Sequence, residues 1–78
     1  MSVRINPGRL RHELARRGLS VPDLAREAKL SLPTVRAAMS GRPISPSSSR
    51  LIGQALGRVP VLEALDLLLL DDDVRGLV

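Results

Sequence analysis

The sequence has no cysteine, phenylalanine, tyrosine or tryptophan, a single histidine and no apolar run of membrane length. Each absence removes a class of protein. Without cysteine there is no disulfide framework, thiolate nucleophile or thiolate metal site, and His12 alone cannot form a histidine cluster. A reducing cytoplasm fits this usage. The longest apolar run, Leu67 to Leu70, is far below the roughly 20 residues that a bilayer span needs, and no apolar signal segment opens the chain. A soluble, unexported protein without membrane partners is expected. No serine is framed by glycines, no glycine loop suits a phosphate, and no second histidine is available as a base. An enzyme is therefore not expected, and no cofactor or metal is implied.

What is present is 78 residues, 44% of them hydrophobic, which is one small domain whose core must come from Leu, Val, Ile, Ala and Met. Helix pairs, or a dimer, suit such material. The formal charge of +4 hides an asymmetry: residues 1 to 58 carry 11 basic against 3 acidic groups, a net +8, whereas residues 59 to 78 carry 1 against 5, a net −4. Eleven of the twelve bases are arginine, whose planar five-donor fork suits phosphates and base edges. A genome rich in G and C also favours arginine over lysine, but it does not account for the acids gathered at the end of the chain.

Breakers separate helix-length segments rather than strands. Asn6-Pro7 reads as a cap with proline in the first turn of a helix over Pro7 to Arg17, with Leu10, Leu14 and Ala15 at helical spacing and Gly18 as the stop. Ser20 and Asp23 form a capping-box variant for a second helix over Val21 to Ala28, striped by Leu24, Ala25 and Ala28. Ser31 caps a third helix that turns Val35, Ala38 and Met39 inward and ends before Gly41. Ser45-Pro46 opens a fourth over Pro46 to Leu56, striped by Leu51, Ile52, Ala55 and Leu56, with Gly57 as its left-handed terminator. Pro60 opens a last, leucine-rich helix to Leu70 that is apolar on more than one face, so a partner is expected to cover part of it. Residues 71 to 78 read as an acidic tail, the alternative being that Val3 to Ile5 and Val74 to Val78 pair as short strands. Asp71-Asp72-Asp73 has neither the glycine turn nor the further acidic ligand of a good cation cage.

Two short helices joined by a tight turn in basic surroundings form the arrangement that lets one helix enter a major groove. The run from Leu19 to Val35, with its Leu24-Ala25 pair, Ala28, Ser31, Thr34-Val35 and the Gly41 exit, resembles the helix-turn-helix of the phage-repressor and Cro family, also called the xenobiotic-response-element family. The resemblance extends from about Asn6 to Leu65, and Leu51 to Gly57 is similar to that family's fourth helix. It implies an all-α, compact domain of four to five helices over residues 1–70, with the helix-turn-helix at about 21–40, that binds double-stranded DNA as a transcriptional regulator, most often a repressor. Val21 stands where the family often has a phosphate-contacting glutamine, Lys29 where the turn usually has glycine, and Leu32 and Pro33 where polar residues are common. Lys29 either adopts the left-handed conformation at a cost of about 1 kcal/mol or makes a different turn.

On the outer face of the third helix, Arg36 alone has the fork that takes O6 and N7 of guanine together, while Leu32, Pro33 and Ala37 suit thymine methyls. Thr34 is a phosphate contact by the family's pattern. Ser31 and Ser40 lie on the same face, and Arg42 and Ser47, beside the start of the fourth helix, are expected phosphate anchors. Leu62, Leu65 and Leu69 are the expected contacts of a homodimer, or of a protein partner at the last helix. A cytoplasmic, nucleoid-associated location follows from this reading. Two rival readings remain open: a recombination directionality or architectural DNA-binding factor, and an antitoxin-like module whose apolar third helix docks on protein.

Overall fold

Every helix begins with the same device, a short polar side chain that caps the free amides and a proline in the first turn. In the computed structural model, which describes residues 1–63, these starts define α1 (Pro7–Arg17), α2 (Val21–Ala28), α3 (Leu32–Met39) and α4 (Pro46–Arg58). Asn6 Oδ1 accepts from the Arg9 amide at 3.0 Å, and the hydroxyls of Ser20, Ser31 and Ser45 accept from the amides of Asp23, Thr34 and Ser48 at 3.1, 3.3 and 3.1 Å. At α2 the box is closed by the Ser20 amide donating to Asp23 Oδ2 at 2.9 Å. Each such cap contributes about 1 kcal/mol, and proline costs nothing there because first-turn amides have no helical acceptor.

The helix ends use two different stops. Gly18, Lys29 and Gly41 adopt φ of 68°, 56° and 73°, and each is followed by a residue whose amide reaches back to the last turn: Leu19 to Leu14 O at 2.9 Å, Leu30 to Ala25 O at 3.0 Å and Arg42 to Ala37 O at 2.9 Å. This is the Schellman arrangement, which satisfies carbonyls that the helix leaves free. Lys29 therefore does take the left-handed conformation at a position where glycine would be at ease. α4 stops differently. Gly57 lies inside the helix, which runs on to Arg58 before Val59 leaves it in extended conformation. The expected glycine terminator is corrected: Val59, held extended by Pro60 after it, ends the helix, and Arg17 Nε donates to Leu56 O and Val59 O, both at 3.0 Å.

α2 packs on α3 and α4, and α1 packs on α3. The buried core is Leu10 and Leu14 of α1, Leu24, Ala25 and Ala28 of α2, Val35 and Ala38 of α3, Ile52 and Ala55 of α4, and Ile44 from the α3–α4 connection. Leu24, fully shielded, contributes about 1.5–3 kcal/mol by its burial. The four alanines among these residues let helices approach closely where no aromatic ring is available to fill space. Four residues of the apolar stripes fall outside this core: Met39 and Leu56 are half-buried against it, and Ala15 and Leu51 are exposed.

All regular structure among the described residues is helical, apart from a single antiparallel bridge between Val3 and Ile44. Val3 thus pairs with the α3–α4 connection, and the other partner considered for it, Val74 to Val78, lies outside the described residues. Pro60 to Glu63 are not helical, so the expected start of a last helix at Pro60 is also corrected. The Leu62 amide donates to Arg16 O at 2.8 Å, which ties this stretch to the end of α1 instead. The remainder of that expected helix, Leu65 and Leu69 with it, and the acidic tail at residues 71–78 lie outside the described residues. No helix among the described residues is long and apolar enough to cross a membrane.

Candidate nucleic-acid interface

α3 is only eight residues long, and its orientation is fixed from three sides. The left-handed Lys29 turns the chain sharply out of α2, Ser31 caps the new helix, and Val35 and Ala38 anchor it in the core. The face opposite those anchors carries Pro33, Arg36, Ala37 and Ser40, spaced as one stripe of a helix. Pro33, Arg36 and Ser40 are exposed. Leu32 and Ala37 are half-buried and packed against the core, so they lean inward from the face on which the sequence placed them.

The hydroxyls of the region are already organised. Ser31 Oγ accepts from the Thr34 amide and shares a second hydrogen bond with Thr34 Oγ1 at 2.8 Å. Ser45 Oγ donates to Ser48 Oγ at 2.8 Å and lies 3.2 Å from Ser47 Oγ. Between the two helix starts lies an open concavity of about 380 Å³, lined by Pro33, Thr34, Ala37, Pro43, Ile44, Ser45 and Ser48. Thr34, the expected phosphate contact, lines this concavity, whereas Ser47 is exposed and does not. Ser45 and Ser48 were missed as part of this surface because their spacing reads first as a helix cap. Arg42 is exposed, and its backbone is tied to α3 by its amide's bond to Ala37 O.

The arginines divide into two groups. Arg16 and Arg17 pair with Glu13 at 3.1 and 2.5 Å, Arg26 pairs with Asp23, Arg11 donates to Met39 O at 3.4 Å and Arg58 donates to Glu27 O. Among the described residues, no hydrogen bond or ion pair engages the side chains of Arg4, Arg9, Arg36, Arg42 or Arg50, of which Arg36 and Arg42 lie on or just after α3. The Arg17 guanidinium, bonded to the Glu13 carboxylate, holds its pKa below the ordinary value, with Arg16 adding to the effect. Asp23 is lowered first by the Ser20 amide, then by the Ser20 hydroxyl and Arg26. Two of the three acids in residues 1–58 are thus matched by arginines of their own helices, and among the described residues no acid pairs with Arg36 or Arg42.

Of the expected partner contacts, Leu62 is half-buried against its own chain: a Cβ placed on Gly18 would stand 3.1 Å from Leu62 Cδ1. A second concavity of about 330 Å³ opens between α1 and α4, lined mainly by the apolar Ile5, Leu10, Ile52 and Leu56, with Arg9, Glu13 and Ser49 beside them. Compared with known proteins, the chain matches no family model, no curated protein and no solved structure.

Proposed function

We propose that this chain binds double-stranded DNA by laying α3 in the major groove and acts as a transcriptional regulator of the repressor type, working in the cytoplasm at the nucleoid. The observation that carries the reading is the exposed stripe of α3, with Arg36 unengaged, set between a second unengaged arginine, Arg42, and the hydroxyl-lined concavity at the start of α4. α2, the turn through Lys29 and α3 then serve as a helix-turn-helix of the phage-repressor and Cro type. Arg36 reads a guanine edge, Pro33 and Ala37 meet thymine methyls, and Leu32 supports the helix from its inner side. Arg42 neutralises a phosphate, while Ser31, Thr34, Ser40 and Ser47 lie within the reach of backbone oxygens along the same side. A homodimer reading two half-sites about one helical turn apart belongs to this proposal, with Leu65 and Leu69 rather than Leu62 left to meet the second copy.

The test is selection from a random duplex library at near-physiological salt. An enriched inverted repeat supports the dimeric regulator, and direct repeats would move the reading to a recombination or architectural factor. Binding without enrichment, or no binding, refutes it. Arg36→Ala is expected to relax preference at one position of each half-site at a cost of about 1–3 kcal/mol. Arg42→Ala is expected to weaken all sequences alike and flatten the salt slope by about one unit. A second reading, a protein-interaction module, is favoured by the apolar concavity between α1 and α4. It predicts a partner whose binding withstands salt that abolishes DNA binding.

A further inference from the structure

The amino-terminal residues are held rather than free. The Val3 amide donates to Ile44 O and the Ile44 amide donates to Val3 O, both at 2.8 Å, which is the hydrogen-bonded pairing of an antiparallel ladder. The ladder stops at one pair for stated reasons. The next pair on one side would need the amide of Pro46, which has none, and on the other side that of Arg42, already given to Ala37 O. One pair is still enough to set the register.

Successive residues of extended chain face opposite sides, and burial follows that rule on both segments. Val3 and Ile5 are half-buried while Ser2 and Arg4 are exposed; Ile44 is buried while Pro43 and Ser45 are exposed. In the register of the bridge, Arg4 stands across from Pro43 and Ser2 across from Ser45. Pro43, Ile44 and Ser45 all line the concavity between α3 and α4. The bridge therefore sets Arg4 across from Pro43, the residue next to Arg42 in the same loop.

We propose that Arg4 is a DNA backbone contact, positioned by the Val3–Ile44 bridge to neutralise a phosphate along the same side of the duplex as Arg42. The proposal rests on the DNA-binding reading and extends its surface by a residue outside the helix pair. A guanidinium offers a phosphate paired donors in fixed geometry, and an arm already ordered loses less freedom on binding than a free one. Phosphate contacts of this kind are indifferent to base sequence.

Salt titration of duplex binding by fluorescence anisotropy tests it in the full chain. Each neutralised phosphate contributes about 0.9 to the slope of log affinity against log salt, which amounts to roughly fivefold in affinity at 0.15 M. Arg4→Ala is expected to lose about that much on every duplex, and Arg4→Lys to retain most of it. Val3→Pro deletes the bridge amide but keeps the charge, and is expected to reproduce most of the Arg4→Ala loss while its helical circular dichroism at the assay temperature stays that of the wild type. If the wild type binds with a steep salt dependence and Arg4→Ala leaves the slope unchanged, the assignment of Arg4 is overturned while the DNA reading stands. If Arg4→Ala weakens binding but Val3→Pro does not, the bridge does not position Arg4, and the proposal is overturned as well. A wild type that binds no duplex would overturn the DNA reading itself, and this contact with it.

Discussion

Replacing Arg17 by methionine tests how far a side chain of α1 secures the end of α4. The guanidinium is 13% exposed and donates to Leu56 O and Val59 O at 3.0 Å, to Glu13 O at 3.0 Å and to the Glu13 carboxylate. Methionine keeps an unbranched apolar stem and removes every donor. The single Nε–H is shared between the two carbonyls, a three-centre bond that counts once, and a hydrogen bond from a charged donor is worth about 1.5–3 kcal/mol. A domain of 78 residues holds roughly 4–12 kcal/mol in total, so this is a large share. At this size about 1.5–3 kcal/mol corresponds to a fall in Tm of roughly 6–24 °C. Thermal and urea unfolding followed by circular dichroism measure it, with Arg50→Ala, an exposed residue, expected within about 0.5 kcal/mol of wild type. Hydrogen exchange should also quicken at the last turn of α4 before it quickens in α2. If Arg17→Met unfolds together with the Arg50→Ala control, the bond from α1 contributes nothing to the end of α4.

Two further stability predictions follow from local chemistry. Lys29→Gly relieves a left-handed residue with φ of 56° and is expected to stabilise by about 0.5–1 kcal/mol after the greater freedom of glycine in the unfolded chain is subtracted, read as a higher urea midpoint at unchanged slope. The folded pKa values of Glu13 and Asp23 lie below their ordinary 4.5 and 3.8, so the unfolded chain binds protons first. Their stabilisation is complete above those ordinary values and is lost as pH falls through the lower folded ones. Urea midpoints measured from pH 7 downward should show that onset, and Glu13→Gln should reduce the acid sensitivity.

The parts of the fold legible in the sequence are those governed by neighbouring residues. The helix starts were readable because an Asn or Ser cap followed by proline acts within four residues, and the start of α1, α2, α3 and α4 each carries that signal. The end of α4 was only partly readable: Pro60 marks it, but the bond from Arg17, 39 positions before Leu56, leaves no trace in the local sequence. Ile44 reads as part of a breaker-rich loop, and only its pairing with Val3 shows it to be core. Leu51 repeats at helical spacing with Ala55, yet it is exposed, since an apolar stripe wider than the neighbouring helices leaves its edge in solvent. For the site, periodicity separated Val35 and Ala38 from Arg36 correctly. The inward lean of Leu32 and Ala37 depends on how closely neighbouring elements approach, which no single helix encodes.

The division of labour among the arginines follows from the same scarcity that opened the sequence. Ten buried residues, four of them alanine and none aromatic, leave little area with which to hold four helices together. Closing helix ends offsets that shortage, because a capped or Schellman-terminated end satisfies backbone groups without needing core volume. Arg17 adds a bond from α1 at the end that Pro60 already marks for α4, and Arg11 and Arg58 tie one helix to the backbone of another. Fixing these joints by hydrogen bonds removes any structural demand on the outer face of α3. Arg36 and Arg42 can then stay unengaged beside a helix whose direction is already set. On the proposed reading, a mobile helix bearing the same two charges would attract a polyanion equally well, but only a fixed one would hold Arg36 in register with a base edge, and that geometry would separate sequence reading from mere attraction.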